Sequence, residues 1–426
     1  MVTPCSRPWL RASLLAILLA GPAWAAAQSA PLGADLASLL DYARQHNPEL
    51  AAMQHEAQAA AQRVQPAGAL PDPLLRVELM NVNNFGNDAG FNLLPSKVGE
   101  TKYTLMQMIP APGKRGLKRD AAAADARQAE ARTAATWAEQ AMKLRTAFAQ
   151  YYLAAQNERI TNELLELVTR LEQVAQVRYA GGLAPQQDAI RAQLEQTAIR
   201  GELIAVANEK RQQQARLNAL LGRAPGSGLA EPRALPALPA AALQPQALAA
   251  RARESNAAVR TEAARLQAAQ ANRELALRNR YPDVSVGISP SQMGSRITTW
   301  GLMLEVNIPL QQGVRRAQES EAAAMVDAAR ARAEAAANQA AADLEEQLSA
   351  LDAARRNEVL IATRQVPQSE LVLQSAVAAY QNGRVDFATL LEAQRQSRKA
   401  QLDLLKVQAE QQARIAEIER TLGEAL

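Results

Sequence analysis

Four short segments of the chain alternate apolar and polar positions with a period of two residues. In the third segment Val284, Val286 and Ile288 are apolar, while the positions between them hold serine and glycine. Because successive side chains of a β-strand point to opposite faces, this alternation predicts strands that each have one apolar face. The predicted strands cover residues 73–80, 101–109, 283–289 and 297–308.

Two much longer segments lack the residues that break helices. Leu117–Ala180 contains neither glycine nor proline and is rich in alanine, glutamate, glutamine, arginine and leucine. The helix predicted here, residues 114–180, would be roughly 100 Å long at about 1.5 Å per residue, so it needs packing partners along its length. A second long helix is predicted at 314–382, where Pro367 predicts a kink or a break. Return helices are predicted at 186–221 and 386–422.

The order of strand pair, long helix, tight turn and return helix occurs twice. Short sequences recur in the second half of the chain: Ile109-Pro110 returns as Ile308-Pro309, and Leu221-Gly222 returns as Leu422-Gly423. Such self-similarity at a fixed offset predicts a duplicated unit. We place the first repeat at residues 28–222, a Pro- and Ala-rich linker at 223–245, and the second repeat at 246–426.

The first residues predict export from the cytoplasm. Arg7 and Arg11 precede a short apolar run, and small residues follow it, as in a bacterial secretory signal that we place at residues 1–27. The apolar run is too short to span a membrane as a helix. Cys5 is the only cysteine and falls within this segment, so we expect a mature chain without disulfides or thiolate metal sites. That mature chain is close to neutral, which excludes the basic field that nucleic-acid binding needs.

The predicted strands have two interpretations. Each is about 10 residues long, which is the length that a tilted strand needs to cross a bilayer. The same alternation also fits a soluble antiparallel sheet packed on helices, and alternation alone does not separate the two. The secretory signal and the Asn- and Gly-rich segment 81–99, which resembles an external loop, favour the membrane. Transmembrane barrels begin at eight strands, so several chains must pool theirs in this interpretation.

No residue pattern in the sequence predicts catalysis. A nucleotide-binding loop, a catalytic triad and a zinc-ligand spacing are absent, so we predict a protein that is not an enzyme and uses no cofactor. His46 and His55 are the only histidines, and we expect structural or surface roles for them. Methionine thioethers suit copper(I) or silver(I), but strand methionines more often only pack, so no metal site is assigned. The methionines concerned are Met80, Met106, Met108 and Met303 in strands and Met293 in a loop.

The duplicated order of elements and its motifs resemble the TolC family of outer-membrane efflux proteins. The resemblance covers nearly all of the mature chain, from about Leu36 to Leu426, and its specificity lies in the order and spacing of the motifs. The forms Pro71-Asp72-Pro73 and Ile109-Pro110-x-Pro112-Gly113-Lys114-Arg115 are most similar to the heavy-metal-efflux branch. The other motifs are Asn47-Pro48-Glu49-Leu50, Arg315-Arg316 after Ile308-Pro309, and Tyr-x-x-Gly at Tyr179 and Tyr380.

The resemblance implies a mainly helical fold with a small transmembrane β part. It implies a homotrimer in the outer membrane of a Gram-negative cell, with a 12-stranded β-barrel continued through the periplasm by an α-helical barrel. The partners it implies are outer-membrane lipid, a periplasmic adaptor (membrane fusion) protein and an inner-membrane pump of the resistance-nodulation-division type. The expected function is a passive exit duct for heavy-metal cations. The alternatives are the same duct for drug efflux or type I secretion, and a periplasmic coiled-coil scaffold or adaptor without its own pore.

The resemblance also directs attention to three sets of residues. The periplasmic end of a family member narrows to a gate and meets the adaptor, so charged and turn residues at the hairpin tips are candidates. Asp386 also fits a helix N-cap, while Asp188 and Glu392 also fit solvated acids on a helix face. The gate candidates are Asp188, Glu392, Asp386 and Arg384; the adaptor-docking candidates are Tyr179, Gly182, Tyr380 and Gly383; the lipid-headgroup candidates are Lys114, Arg115, Arg315 and Arg316.

Overall fold

A computed structural model of the chain describes residues 32–82, 91, 93–237, 244–424 and 426. The predicted secretory signal, with Cys5, lies outside the described residues. The same holds for residues 83–90 and 92 of the segment between the first two strands, and for residues 238–243 of the linker.

The first repeat begins with short helices and ends with a long helical hairpin. Two strands separate the short helices from the hairpin, whose first arm is a single helix of 67 residues. The elements are α1 (Leu36–His46), α2 (Pro48–Gln62), α3 (Val64–Ala67), β1 (Leu74–Met80), β2 (Glu100–Ile109), α4 (Lys114–Ala180) and α5 (Gln186–Leu220).

The second repeat follows the same order, but it has two short helices before its strands instead of three, and its long arm is interrupted. The long arm is divided by a five-residue π turn, Ile361–Gln365. The elements are α6 (Pro245–Ser255), α7 (Ala257–Arg278), β3 (Val284–Met293), β4 (Arg296–Val306), α8 (Gln312–Leu360), α9 (Val366–Gln381) and α10 (Phe387–Leu422).

Pro367 explains the π turn. A proline inside a helix removes one hydrogen bond and collides with the carbonyl four residues earlier. Here the backbone N–H of Val366 donates to the Ile361 carbonyl, five residues back, and Pro367 falls in the first turn of α9. The helix therefore widens just ahead of the proline and continues, so the kink or break expected at this point takes the form of a π turn.

A buried asparagine joins the short helix of each repeat to the end of the return helix. Asn47 Oδ1 accepts the Leu50 N–H at 3.0 Å, and its Nδ2 donates to the Leu220 carbonyl at 2.8 Å. In the second repeat Asn256 caps α7 and donates to the Thr421 carbonyl at 2.8 Å. One side chain thus satisfies an orphan amide at one helix start and an orphan carbonyl at another helix end.

Glycines allow the close approach at these two junctions. Gly222 and Gly423 end α5 and α10 with φ of +70° and +74°, in the left-handed region that glycine adopts at little cost. A Cβ on Gly423 would also lie 2.8 Å from the Ser255 carbonyl oxygen. A side chain at this position is therefore excluded by backbone conformation and by space.

The core is spread along the helices as separate clusters, because small side chains let the helices pack closely over a long distance. One cluster, which includes Leu39 and Tyr151, packs α1 on α4 and α5 near the linker. Another, which includes Leu171 and Tyr380, lies near the hairpin tips and combines residues of both repeats. The cluster near the tips therefore holds the two hairpins together, whereas the cluster near the linker packs the first repeat on itself.

The four strands form one antiparallel sheet in the order β1-β2-β3-β4. The central pair, β2 with β3, joins the two repeats. The predicted mainly helical fold, with a small four-stranded sheet and very long helical hairpins, is confirmed. β3 continues to Met293, beyond the expected end at residue 289, so Met293 belongs to a strand and not to the expected loop.

Candidate functional site

The sheet exposes its apolar face. Register places Leu75, Leu105, Ile288 and Leu302 in one row across all four strands. Leu302 is 91% exposed, and the other three are exposed as well. A soluble protein buries such a row, so this face requires an apolar environment that a single chain does not supply.

The opposite face of the sheet is polar. Thr104 and Ser289 lie on it and are buried, and Lys102, Ser285 and Glu305 share this face. Serine and threonine inside and leucine outside invert the arrangement of a water-soluble sheet. This is the pattern of a strand with one side toward lipid and the other toward a water-filled lumen.

The two hairpin tips lie at the other end of the helices. α4 ends at Ala180, and Gly182, with φ of +69°, reverses the chain into α5. Gly383, with φ of +70°, does the same between α9 and α10. Tyr179 is 47% exposed, whereas Tyr380 at the matching position of the second repeat is 2% exposed. The tips are therefore equivalent in backbone and different in side-chain environment.

Arg178 connects the two tips. Its Nη1 donates to the Gln381 carbonyl at 2.5 Å, and its Nη2 donates to the Leu183 carbonyl at 3.2 Å. The guanidinium also lies 5.4 Å from the centre of the Tyr380 ring, within cation–π range. A Cβ on Gly383 would stand 3.0 Å from Nη2, so glycine leaves room for this arginine.

Tyr380 and Asp188 form a second link between the hairpins. The Tyr380 hydroxyl donates to Asp188 Oδ2 at 3.4 Å, and Asp188 is 6% exposed. Burial, and then the neighbouring Asp188 carboxylate, raise the pKa of Tyr380 to about 12. The hydroxyl therefore keeps its proton at physiological pH and remains a donor. Phe387 packs edge-on against the Tyr380 ring at 5.4 Å.

The remaining gate candidates are exposed. Asp386 caps α10 by accepting the Thr389 N–H at 2.9 Å and the Thr389 hydroxyl at 2.6 Å, and these hydrogen bonds hold its pKa below its usual range. Glu392 lies on the open face of α10 and accepts from Gln396 Nε2 at 3.0 Å. Arg384 is exposed in the turn. Within one chain, Asp188 is thus the buried member of the four and Glu392 a solvated acid.

Three of the four lipid-headgroup candidates have partners inside the chain. Lys114 is 6% exposed, and its Nζ contacts Asp283 Oδ1 at 2.8 Å and the Tyr281 carbonyl at 3.1 Å. This ion pair fastens the end of β2 to the start of β3. It could not be read from the sequence, because the two residues belong to different repeats.

Arg115 and Arg315 each cap the short helix that precedes the strands of their repeat. Arg115 Nε donates to the Gly68 carbonyl at 2.8 Å, and Arg315 Nη1 donates to the Asn279 carbonyl. A cation at a helix C-terminus is favourable because it faces the negative end of the dipole. Arg115 and Arg316 are both exposed, but Arg115 is held by its hydrogen bond to the Gly68 carbonyl.

Further ion pairs connect the return helices of the two repeats. Arg395 pairs with Glu195 at 2.7 Å, and Arg398 binds both carboxylate oxygens of Glu202. Arg398 also donates to the Thr161 hydroxyl at 3.1 Å. The two hairpins are therefore linked over several turns above the tips.

Two features are absent from the described part of the chain. No group of three or more histidine, cysteine, aspartate or glutamate side chains there is placed to hold a metal ion. None of the helices within the described ranges combines the length and the apolar character that crossing a membrane requires.

The chain matches one family over most of its length. The profile of that family, described as "Outer membrane efflux protein", matches residues 39–223 and 248–424. The two matched segments fall on the two repeats. No curated protein matches the chain at a significant level of similarity.

Several solved outer-membrane channels share the fold. The channel OprN is 22% identical with a TM-score of 0.77, and the match covers 92% of this chain and 90% of that one. VceC from Vibrio cholerae is 19% identical with a TM-score of 0.77, covering 92% and 96%. CusC, described in a study of transmembrane channel formation, is 19% identical with a TM-score of 0.78, covering 92% of each chain. At these identities the likeness is one of fold.

Proposed function

The chain belongs to the outer membrane efflux protein family, and we propose that it is the exit duct of a tripartite system that exports heavy-metal cations. It is an outer-membrane channel that extends into the periplasm, and it is not an enzyme. Membership of the family implies a trimeric channel. The proposal adds the substrate, the partners and the roles of the tip residues.

The exposed apolar face of the sheet is the main observation in support of a membrane-spanning duct. Four strands are too few to close a barrel, but three chains contribute twelve, and pooling them turns every apolar row toward lipid. The polar face then lines the lumen. A scaffold or adaptor without a pore has no use for a duplicated strand pair with exposed leucines, so this alternative is disfavoured.

The links between the tips support a gate at the periplasmic end. Arg178 and the Tyr380–Asp188 pair hold the second hairpin against the first, so widening this end requires these contacts to break. Glu392 and Asp386 are exposed nearby, and three copies of each would surround the axis of a trimer with negative charge. Such a ring attracts cations and repels anions.

The location of the channel in the outer membrane determines which partner proteins it needs. A channel in the outer membrane has no energy source of its own, so an inner-membrane pump, here of the resistance-nodulation-division type, must drive transport. A periplasmic adaptor would bridge the two at the tips, where Tyr179 and Gly182 are exposed. Heavy-metal cargo rests on the Pro71-Asp72-Pro73 and Ile109-Pro110 motifs, and drug efflux or type I secretion through the same duct is the alternative.

Two measurements test this proposal. Extraction from the outer-membrane fraction should give a trimer that conducts ions in planar bilayers, whereas a periplasmic monomer would refute the duct. Deletion of the gene should lower the tolerated concentration of copper, silver, zinc or cadmium salts. If tolerance to drugs falls and tolerance to metals does not, the duct stands and its metal cargo is wrong.

A further inference from the structure

The methionines of the chain are concentrated in its sheet. The sequence holds 9 methionines. Five of these lie in the four strands, which make up a small part of the chain: Met80, Met106, Met108, Met293 and Met303. A residue used only as an adaptable packing group has no reason to avoid the much larger helical part, where the packing clusters lie.

Strand register places three of these methionines around one glycine. Met106 pairs with Gly287, and Gly287 pairs with Met303, so the two methionines flank a residue that has no side chain. Neighbouring strands are about 4.8 Å apart, so two long, flexible thioether side chains can approach each other across this gap. Met108 lies two residues from Met106 and therefore on the same face.

This methionine face is the polar face of the sheet. Met106, Met108 and Met303 share it with Thr104 and Ser289, opposite the exposed leucines. Met108 is 40% exposed. A lumen-facing surface of a barrel is ordinarily polar, so apolar side chains at these positions are contrary to the pattern. They are also absent from the packed clusters found within the described residues.

A groove runs along this face at the end of the sheet nearest the helices. Its volume is about 600 Å³, and Met106, Met108, Ser285 and Glu305 are among the residues that line it. Ser285 pairs with both Met108 and Glu305, so the Glu305 carboxylate lies two strands from Met108 and on the same strand as Met303. The groove therefore places the thioethers of Met106 and Met108 beside three carboxylates, and Met303 lies next to it, opposite Gly287 on the neighbouring strand. The carboxylates belong to Asp72, Asp283 and Glu305.

We propose that Met106, Met108 and Met303 form a contact site for copper(I) or silver(I) on the lumen side of the sheet. Thioether sulfur is a soft ligand that selects monovalent copper and silver over zinc or magnesium. It carries no charge and takes up no proton, so binding is weak and independent of pH, as passage through a duct requires. The assignment of this face to the lumen rests on the proposed function.

Silver(I) is the probe for the test, because it stays in one oxidation state. The trimer is purified in detergent and titrated with silver nitrate in chloride-free buffer, and bound silver is counted after desalting. The test variant combines Met106→Leu, Met108→Leu and Met303→Leu, which nearly conserves side-chain volume. The control combines Met53→Leu, Met293→Leu and Met325→Leu, which removes the same number of thioethers elsewhere.

The wild type and the control should bind silver equally, and the test variant should bind it at least about 10- to 100-fold more weakly, the range seen when the surroundings of a metal ligand are altered. An excess of zinc(II) should not displace the silver. Met108→Leu alone, at the exposed position, should show the same direction if the triple variant does not assemble. Equal binding by the test variant and the wild type, or no binding by either, would overturn the inference.

Failure of this inference is distinguishable from failure of the proposed function. A trimer that conducts ions but binds silver without regard to these methionines leaves the duct intact and removes the site. A protein that forms no conducting trimer refutes the duct itself.

Discussion

Replacing Leu302 with arginine tests the membrane interpretation of the sheet directly. Leu302 lies near the middle of β4, in the apolar row that crosses all four strands, and it is 91% exposed in one chain. Its side chain therefore makes few contacts within the chain. Any penalty for the substitution must come from what covers this face in the assembled protein.

The two interpretations give different magnitudes. If the face contacts lipid, an arginine near the midplane costs about 2–4 kcal/mol per chain, and about 6–12 kcal/mol over the three chains of a trimer. If the sheet is solvated, exchanging one exposed side chain for another changes stability by no more than about 0.5 kcal/mol in either direction. The difference is large enough to abolish assembly in one case and to be undetectable in the other.

Thr299→Arg is the matched control. Thr299 lies on the same strand, is also exposed, and belongs to the polar face. The amount of trimer in the outer-membrane fraction is measured for both variants. We expect Leu302→Arg to lose most of its trimer and Thr299→Arg to retain it. Equal amounts of trimer for the two variants would refute the assignment of the apolar face to lipid.

Three other predictions concern the junctions and the tips. Asn256→Ala removes a helix cap and leaves the Thr421 carbonyl unpaired, so it should lower the free energy of unfolding by about 2–4 kcal/mol. Thermal unfolding in detergent measures this loss of stability. The control Asn272→Ala, on the exposed face of the same helix, should not lower the stability. Tyr380→Phe removes the buried hydrogen bond to Asp188 and should raise the open fraction in planar-bilayer recordings, while Tyr179→Phe, at the exposed matching position, should leave it unchanged. Asp386→Asn combined with Glu392→Gln should weaken cation selectivity, because both acids are exposed and would ring the axis of the trimer. The effect should be strongest at low ionic strength, since exposed charges are screened within about 10 Å at 0.1 M salt. Unchanged selectivity in an assembled trimer would remove both acids from the lumen.

The features that sequence patterns reveal are those encoded locally. The period of two in 284–288 and the absence of helix breakers in 117–180 depend only on neighbouring residues, and both segments form the predicted elements. The end of β3 shows the limit. A proline at position 290 is typical of a strand end, yet β3 continues to Met293. The pairing of β3 with β2 is interrupted between Ile288 and Ser291, so the N–H that Pro290 lacks is not needed for that pairing.

Contacts between the two repeats could not be predicted from patterns of neighbouring residues. Nothing near Lys114 in the sequence indicates Asp283, and nothing near Arg178 indicates that it caps the turn after Tyr380. These pairs arise because β2 lies beside β3 and because the two hairpins lie side by side. Both adjacencies are properties of the whole fold, so the sequence alone made Lys114 a lipid-headgroup candidate and indicated no partner for Arg178.

The two repeats are alike at their helix junctions and differ at their hairpin tips. At the junctions the repeats use the same device, since Asn47 and Asn256 bridge the same two helix ends. At the tips the backbone is the same but Tyr179 is exposed and Tyr380 is buried against Arg178 and Asp188. A helix junction with a purely structural role can use the same residue in both repeats. Under the proposed gating, the two hairpins must separate at the tips, and the tips are where the two repeats differ in side-chain burial.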